Sequence, residues 1–110
     1  MNQIRQLSAD EVHARLKTDP APLLLDVREP EEYTGELGHI PGSQLIPLKE
    51  LSQRVSELNA YRDTPIIVVC RAGVRSTTAA AMLTGMGFSQ VLNLKGGMLD
   101  WNDEGFAVER

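Results

Sequence analysis

Cys70 is the only cysteine in the 110-residue chain, and it stands where the apolar run "PIIVV" gives way to "RAGVRS". Arg71, Gly73, Arg75 and Ser76 follow at spacings that one tight turn can gather. Gly73 supplies the backbone freedom for a loop whose N–H groups converge on one point, and such a nest binds an anion. A helix starting just beyond would add the positive end of its dipole, and the two arginines add full charges nearby. This setting favours the thiolate and makes it a nucleophile toward an anionic, electrophilic substrate. A lone cysteine after a buried strand is ordinarily an inert small hydrophobe. The cationic, glycine-containing loop argues against that here, so Cys70 is the expected catalytic residue and Arg71, Ala72, Gly73, Val74, Arg75 and Ser76 the expected substrate cradle.

The elements that would position this loop can be read from punctuation and periodicity. "PLLLDV" (22–27), "SQLIP" (43–47), "PIIVVC" (65–70) and "QVLNL" (90–94) are short apolar runs bounded by turn residues and read as strands, with "IRQLS" as a first short strand. "SADEVHARLKTD" opens with Ser8 and Glu11 at capping-box spacing and places Val12 and Leu16 on one face, which predicts a helix. "PLKELSQRVSEL", "RSTTAAAMLTGMG" and "GGMLDWNDEG" read as three more. Strands alternating with helices predict an α/β fold with a parallel sheet covered on both faces, and the unbroken "IIVV" fits a fully buried strand. In such a sheet ligands gather at the carboxyl ends of the strands, where Cys70 falls. There is no repeat, low-complexity tract or linker, so residues 1–110 are expected to form one domain.

At these motifs the chain resembles the rhodanese family, over nearly its whole length. "LLLDVREPEEY" (23–33), "GHIPGS" (38–43), "CRAGVRS" (70–76) and "GGMLDW" (96–101) are similar to that family's ordered motifs, the third being its active-site loop. The resemblance implies a three-layer α/β/α fold whose five-stranded parallel sheet has the order 3-2-4-5-1, with strands two and four adjacent where the chain reverses direction. It also implies an activity: sulfur transfer from thiosulfate or a related donor, through a cysteine persulfide, to cyanide or a thiol. A protein thiol is among the acceptors considered. No metal or organic cofactor is expected.

Related folds serve phosphatases and arsenate reductases, whose loops run Cys-x-x-x-x-x-Arg. Here Arg75 is the fifth residue after Cys70, and residue 76 is serine. A shorter loop makes a narrower ring, better matched to the outer sulfur of a persulfide than to a phosphoryl group. Val69 stands where such phosphatases carry a histidine, and no carboxylate is evident for protonating a leaving group. Arg71 directly after the cysteine resembles the thiosulfate type more than the mercaptopyruvate type. A different class of reading is a non-catalytic, partner-binding module of the same fold, although such modules commonly lose the cysteine.

Around the loop, Asp26 is expected to accept hydrogen bonds from loop N–H groups and Arg28 to pair with Glu32, both as structural support. His39 in "GHIPGS" is expected to hold a turn, since a thiolate stabilised by N–H groups needs no base. Ser76 could donate to the sulfur, cap the following helix, or do both. Trp101, Met82, Met86 and Met98 are expected to pack the core.

Lysine and arginine number 11 against 15 acids, a net charge of −4, so the chain lacks the basic footprint of a nucleic-acid binder. With one cysteine it has no disulfide framework, and His13 and His39 lack metal-ligand spacing. The first residues carry charges and no apolar signal segment, and no stretch reaches membrane-spanning length, so the cytoplasm is the expected location and no membrane partner is expected.

Overall fold

Ser8 starts the first helix as its spacing predicts: its Oγ accepts the Glu11 N–H at 3.1 Å, while the Glu11 carboxylate accepts the Ser8 N–H at 2.9 Å. The structure, a computed structural model, describes residues 4–110. Its strands are β1 (Arg5–Leu7), β2 (Leu23–Asp26), β3 (Gln44–Leu45), β4 (Ile66–Val69) and β5 (Val91–Leu94). All pair in parallel in the order β1-β5-β4-β2-β3, which is the expected 3-2-4-5-1 read from the other edge. The helices are α1 (Ala9–Arg15), α2 (Pro30–Tyr33), α3 (Leu51–Arg54), α4 (Val74–Gly85) and α5 (Gly97–Asp103).

β4 lies at the centre of the sheet, and all four of its residues are buried. Its side chains alternate between two cores, as the period of two along a strand requires. Ile66 and Val68 pack with Leu25, Leu51, Leu58, Ala79 and Leu83 on one face; Ile67 and Val69 pack with Leu7, Val12, Ile40, Met98 and Trp101 on the other. Trp101 donates its indole N–H to the Ala107 carbonyl at 3.0 Å, so its one polar atom is matched inside that core. Met98 is fully buried, and Met82 and Met86 pack at the margin of the first core.

Two local differences from the sequence expectation stand out. The single helix expected from Pro47 to Leu58 is instead a 3-10 turn (Leu48–Glu50), the four-residue α3 and a second 3-10 stretch (Val55–Tyr61). Its second half, "VSELNAY", mixes strong helix formers with Val55, Ser56, Asn59 and Tyr61, which hold an α-helix less well, and Leu51 and Leu58 still reach the core. α2 was not expected; Pro30 fits its first turn, and the Glu32 carboxylate accepts the Glu29 N–H at 3.0 Å.

The carboxyl end of β2 is built differently from the expectation as well. Asp26 accepts nothing from the cysteine loop; its oxygens take the Arg28 backbone N–H at 3.1 Å, Nε–H at 2.9 Å and Nη2–H at 2.8 Å. Arg28 thus pairs with Asp26 and not with the Glu32 carboxylate. It reaches Glu32 through that residue's carbonyl at 3.2 Å and also donates to the Gly38 carbonyl at 2.7 Å. Both charges are buried, and a buried charge requires a partner close by, which Asp26 supplies from two residues away. His39 holds the neighbouring turn, with Nδ1 at 2.8 Å from the Tyr33 carbonyl and its ring stacked on Tyr33. The same turn binds the C-terminal residues: His39 and Glu109 exchange backbone hydrogen bonds at 2.8 Å each, and Arg110 donates to the Glu36 carbonyl at 2.6 Å.

Arg28→Met should therefore destabilise the protein by roughly 3 kcal/mol or more, because Asp26 is left charged and unpaired. Urea denaturation checks this, and the double variant Asp26→Asn/Arg28→Met should recover a large part of the loss. Equal stability of Arg28→Met and the wild type would contradict a structural role for the pair.

Candidate active site

β4 delivers Cys70 to the carboxyl edge of the sheet, one residue past Val69, whose carbonyl accepts the Val27 N–H of the neighbouring chain segment at 2.9 Å. The thiol is 1% exposed. Two donors reach its sulfur: the Gly73 N–H at 3.1 Å and the Ser76 hydroxyl at 3.2 Å. Gly73 has φ +96°, in the left-handed region, and occupies the capping position of α4. A side chain there would be strained, and its Cβ would press against the Gly96 nitrogen at 3.1 Å. Ser76, left open between two roles, donates to the sulfur and makes no capping hydrogen bond.

The loop is held from below by a second loop. The first N–H groups of α5 donate to it: Met98 to the Cys70 carbonyl at 2.9 Å and Leu99 to the Arg71 carbonyl at 3.0 Å. This approach is possible because residue 97 is glycine. A Cβ on Gly97 would collide with both of those carbonyl oxygens. "GGMLDW" thereby acquires a physical reading that the sequence alone did not give it: its glycines let one loop seat the other.

Asn93, on β5 beneath the loop, was also missed. It is 1% exposed, and its amide nitrogen lies 3.3 Å from the Gly73 carbonyl, 3.0 Å from Thr77 Oγ1 and 2.7 Å from Gln6 Oε1. Thr77 Oγ1 also donates to the Gly73 carbonyl, at 2.7 Å. The residue whose N–H points at the sulfur is therefore fixed through its own carbonyl. A single amide inside the otherwise apolar "VLNL" was the available signal.

The two arginines behave differently. Arg75 forms a bidentate pair with Glu32 of α2, with Nη1 to Oε1 at 2.7 Å and Nη2 to Oε2 at 2.8 Å. Those hydrogen bonds, helped by the Glu29 N–H, hold the Glu32 carboxyl well below its ordinary range, at about 2. The same carboxylate raises Arg75 further. Arg71 makes no side-chain hydrogen bond or ion pair among the described residues; it is exposed and lines a cavity of about 370 Å³ together with Arg28, Glu31, Glu32, Glu36 and Leu37. Ala72 is exposed, and Val74 is 76% exposed at the rim of the loop.

A thiol at the end of a central parallel strand, in a glycine-turned cradle, is the arrangement that the sequence resemblance pointed to. Residues 8–104 match the family described as Rhodanese-like domain. The chain belongs to the rhodanese-like domain family. A sulfurtransferase of Allochromatium vinosum is 32% identical to this rhodanese-like chain over 105 residues, covering 96% of it and 94% of the relative. YrkF of Bacillus subtilis, named as a candidate sulfur carrier protein, is 39% identical over 100 residues, 91% of this chain and 52% of that one. A second Bacillus subtilis relative is covered over 59% of its length, so the chain spans little more than half of each of these two proteins. Among solved structures, thiosulfate sulfurtransferase from Pseudomonas aeruginosa superposes with a TM-score of 0.83 at 33% identity, over 97% of this chain and 20% of that one.

In this rhodanese-like domain the Glu32–Arg75 pair joins α2 to the active loop, and its pH dependence follows from the lowered Glu32 value. Its stabilisation is fully present above the ordinary carboxyl value of 4.5 and is lost as the pH falls through about 2. Glu32→Gln should cost on the order of 1 kcal/mol, since the pair is partly exposed. The difference in stability from the wild type should stay constant between neutral pH and about pH 5 and close as the pH approaches 2. A pH series of denaturation curves checks this; a difference independent of pH down to 2 would contradict it.

Asn93→Leu should free the Gly73 peptide. The loss of a hydrogen bond worth on the order of 1 kcal/mol should speed Gly73 amide exchange roughly fivefold while leaving that of Ile67 in β4 unchanged. Unaltered Gly73 exchange in the folded variant would remove Asn93 from any positioning role.

Proposed function

We propose that this rhodanese-like domain transfers a sulfane sulfur through a persulfide on Cys70. The observation that carries the reading is the convergence of the Gly73 N–H and the Ser76 hydroxyl on the sulfur of the chain's only cysteine. Donors aimed at a sulfur stabilise the negative charge that it carries as a bond to it forms or breaks. The Cys70 thiolate attacks the outer sulfur of thiosulfate or a related small anionic donor; the donor's S–S bond breaks, and sulfite departs with the electron pair. A thiophilic acceptor, cyanide or a thiol, then takes the sulfur and returns the thiolate.

Arg71 supplies the unpaired charge that draws the donor, while Arg75, held by Glu32, fixes the loop. The backbone from Ala72 to Val74 shapes the opening. Cofactor-free chemistry suffices, because every bond made or broken is between sulfur atoms or between sulfur and the acceptor. The domain works in the cytoplasm in this reading; among the described residues no helix is long and apolar enough to cross a membrane.

The burial of the thiol favours a second reading, a partner-binding module without turnover. One measurement separates the two. After thiosulfate treatment and desalting, intact mass should rise by one sulfur atom on the peptide containing Cys70, and cyanide should remove it. Cys70→Ser should keep the fold and lose both the mass gain and cyanide-dependent turnover. No mass gain on wild-type protein would leave the binding module as the better account.

A further inference from the structure

The turn at Gly73 needs a hold that glycine itself does not supply. Gly73 reaches φ +96° without strain because it lacks a Cβ, and the same lack leaves its two peptide planes free to rotate. Its N–H nevertheless lies 3.1 Å from the Cys70 sulfur. The direction of that N–H must therefore be fixed from outside the residue.

The fixing groups sit on the carbonyl side. Three donors converge on the Gly73 carbonyl: the Thr77 hydroxyl at 2.7 Å, the Thr77 N–H at 3.3 Å and the Asn93 amide at 3.3 Å. An ordinary first turn of a helix brings only the N–H from four residues on. Here that bond is long, and the hydroxyl of the same residue makes the short one, the back-bond that threonine can form to the carbonyl four positions earlier. The sense of each hydrogen bond is determined as well. A carbonyl only accepts, so the Thr77 hydroxyl gives its proton to Gly73 and faces Asn93 as an acceptor, taking the Asn93 N–H at 3.0 Å. The Asn93 amide also donates to Gln6 Oε1 at 2.7 Å, while its own oxygen meets no donor among the described residues. Turned over, the amide would set that oxygen against the Gly73 carbonyl. A buried amide between Leu92 and Leu94, matched only through its N–H groups, acts as a donor.

We infer that Thr77 is a positioning residue for Cys70: oriented by Asn93, its hydroxyl holds the Gly73 carbonyl so that the Gly73 N–H stays on the sulfur and sustains the thiolate. Ser76 and Thr77 are neighbours in the first turn of α4 with different tasks. Ser76 touches the sulfur, whereas Thr77 acts only through Gly73. The inference concerns the thiolate itself, and only its consequence for sulfur loading rests on the persulfide reading of Cys70.

The test titrates the thiol of the intact chain by its ultraviolet thiolate absorbance against pH, with Cys70→Ser as the blank. One cysteine gives the signal one source. Thr77→Val keeps the branched shape and removes the hydroxyl; Thr77→Ser keeps the hydroxyl. Neither changes a charge, so Arg71 and Arg75 in the loop, Asp26 and Arg28 at the end of β2, Glu32 on α2, and Lys95 and Asp100 around the start of α5 are common to all three proteins. Thr77→Val should move the midpoint up by about half a pH unit, a roughly threefold loss of thiolate below it, and Thr77→Ser should coincide with the wild type. Thr77→Ala favours the helix and removes the same hydroxyl if the valine variant fails to fold. A folded variant without the hydroxyl that titrates at the wild-type midpoint overturns the inference, and so does a serine variant shifted as far as the valine one. Thiosulfate loading, followed by mass at a pH below the midpoint, should slow by the same factor. A wild type that does not load overturns the persulfide reading and leaves the titration to decide on Thr77.

Discussion

A guanidinium taken out of water must be met on its donors, and Arg28 meets this demand at the end of β2. Asp26 takes its charge through two N–H groups, and the carbonyls of Glu32 and Gly38 take two more. These partners belong to a strand end, a short helix and a turn, so satisfying one side chain fixes three segments relative to one another. α2 then presents the Glu32 carboxylate to Arg75, and the active loop is tied to the same framework. Two ion pairs, Asp26–Arg28 and Glu32–Arg75, joined by the hydrogen bond from Arg28 to the Glu32 carbonyl, connect the core of the sheet to the loop that holds the thiol.

The loop has a second anchor that depends on the absence of side chains. Gly73 turns its N–H toward the sulfur from a left-handed conformation, and Gly97 lets α5 approach closely enough to donate to the loop carbonyls. Charge holds the outer side of the loop and close backbone approach the inner side. The sulfur sits between them, with two donors already aimed at it.

Local signals were legible in the sequence. The Ser8 capping box, the buried "IIVV" strand, the alanine-rich α4 and the glycine turn after Cys70 are all decided within a few residues, and the structure forms each of them. The strand order came from the resemblance to rhodaneses. Pairings between distant residues were not legible. Nothing within "CRAGVRS" distinguishes Arg71 from Arg75, because the difference is made by a carboxylate 43 positions away that the sheet order brings alongside. Arg28 was expected to pair with Glu32, and in the buried strand end it pairs with Asp26 instead. Asn93 carries no local signal of its role, because only the sheet order brings it to the Gly73 carbonyl.

The antiparallel bridge between His39 and Glu109 sets where the chain leaves the domain. Arg110 is bonded to the carbonyl of Glu36, a residue on the cavity wall, so any segment appended after Arg110 departs from the edge of the cavity. A short flexible tail added there would hold whatever it carries beside this wall at an effective concentration on the order of millimolar. Tethering of this kind would turn a two-body encounter into an internal one whose rate is set by tail length, and fusion proteins of this domain could be designed around that dependence.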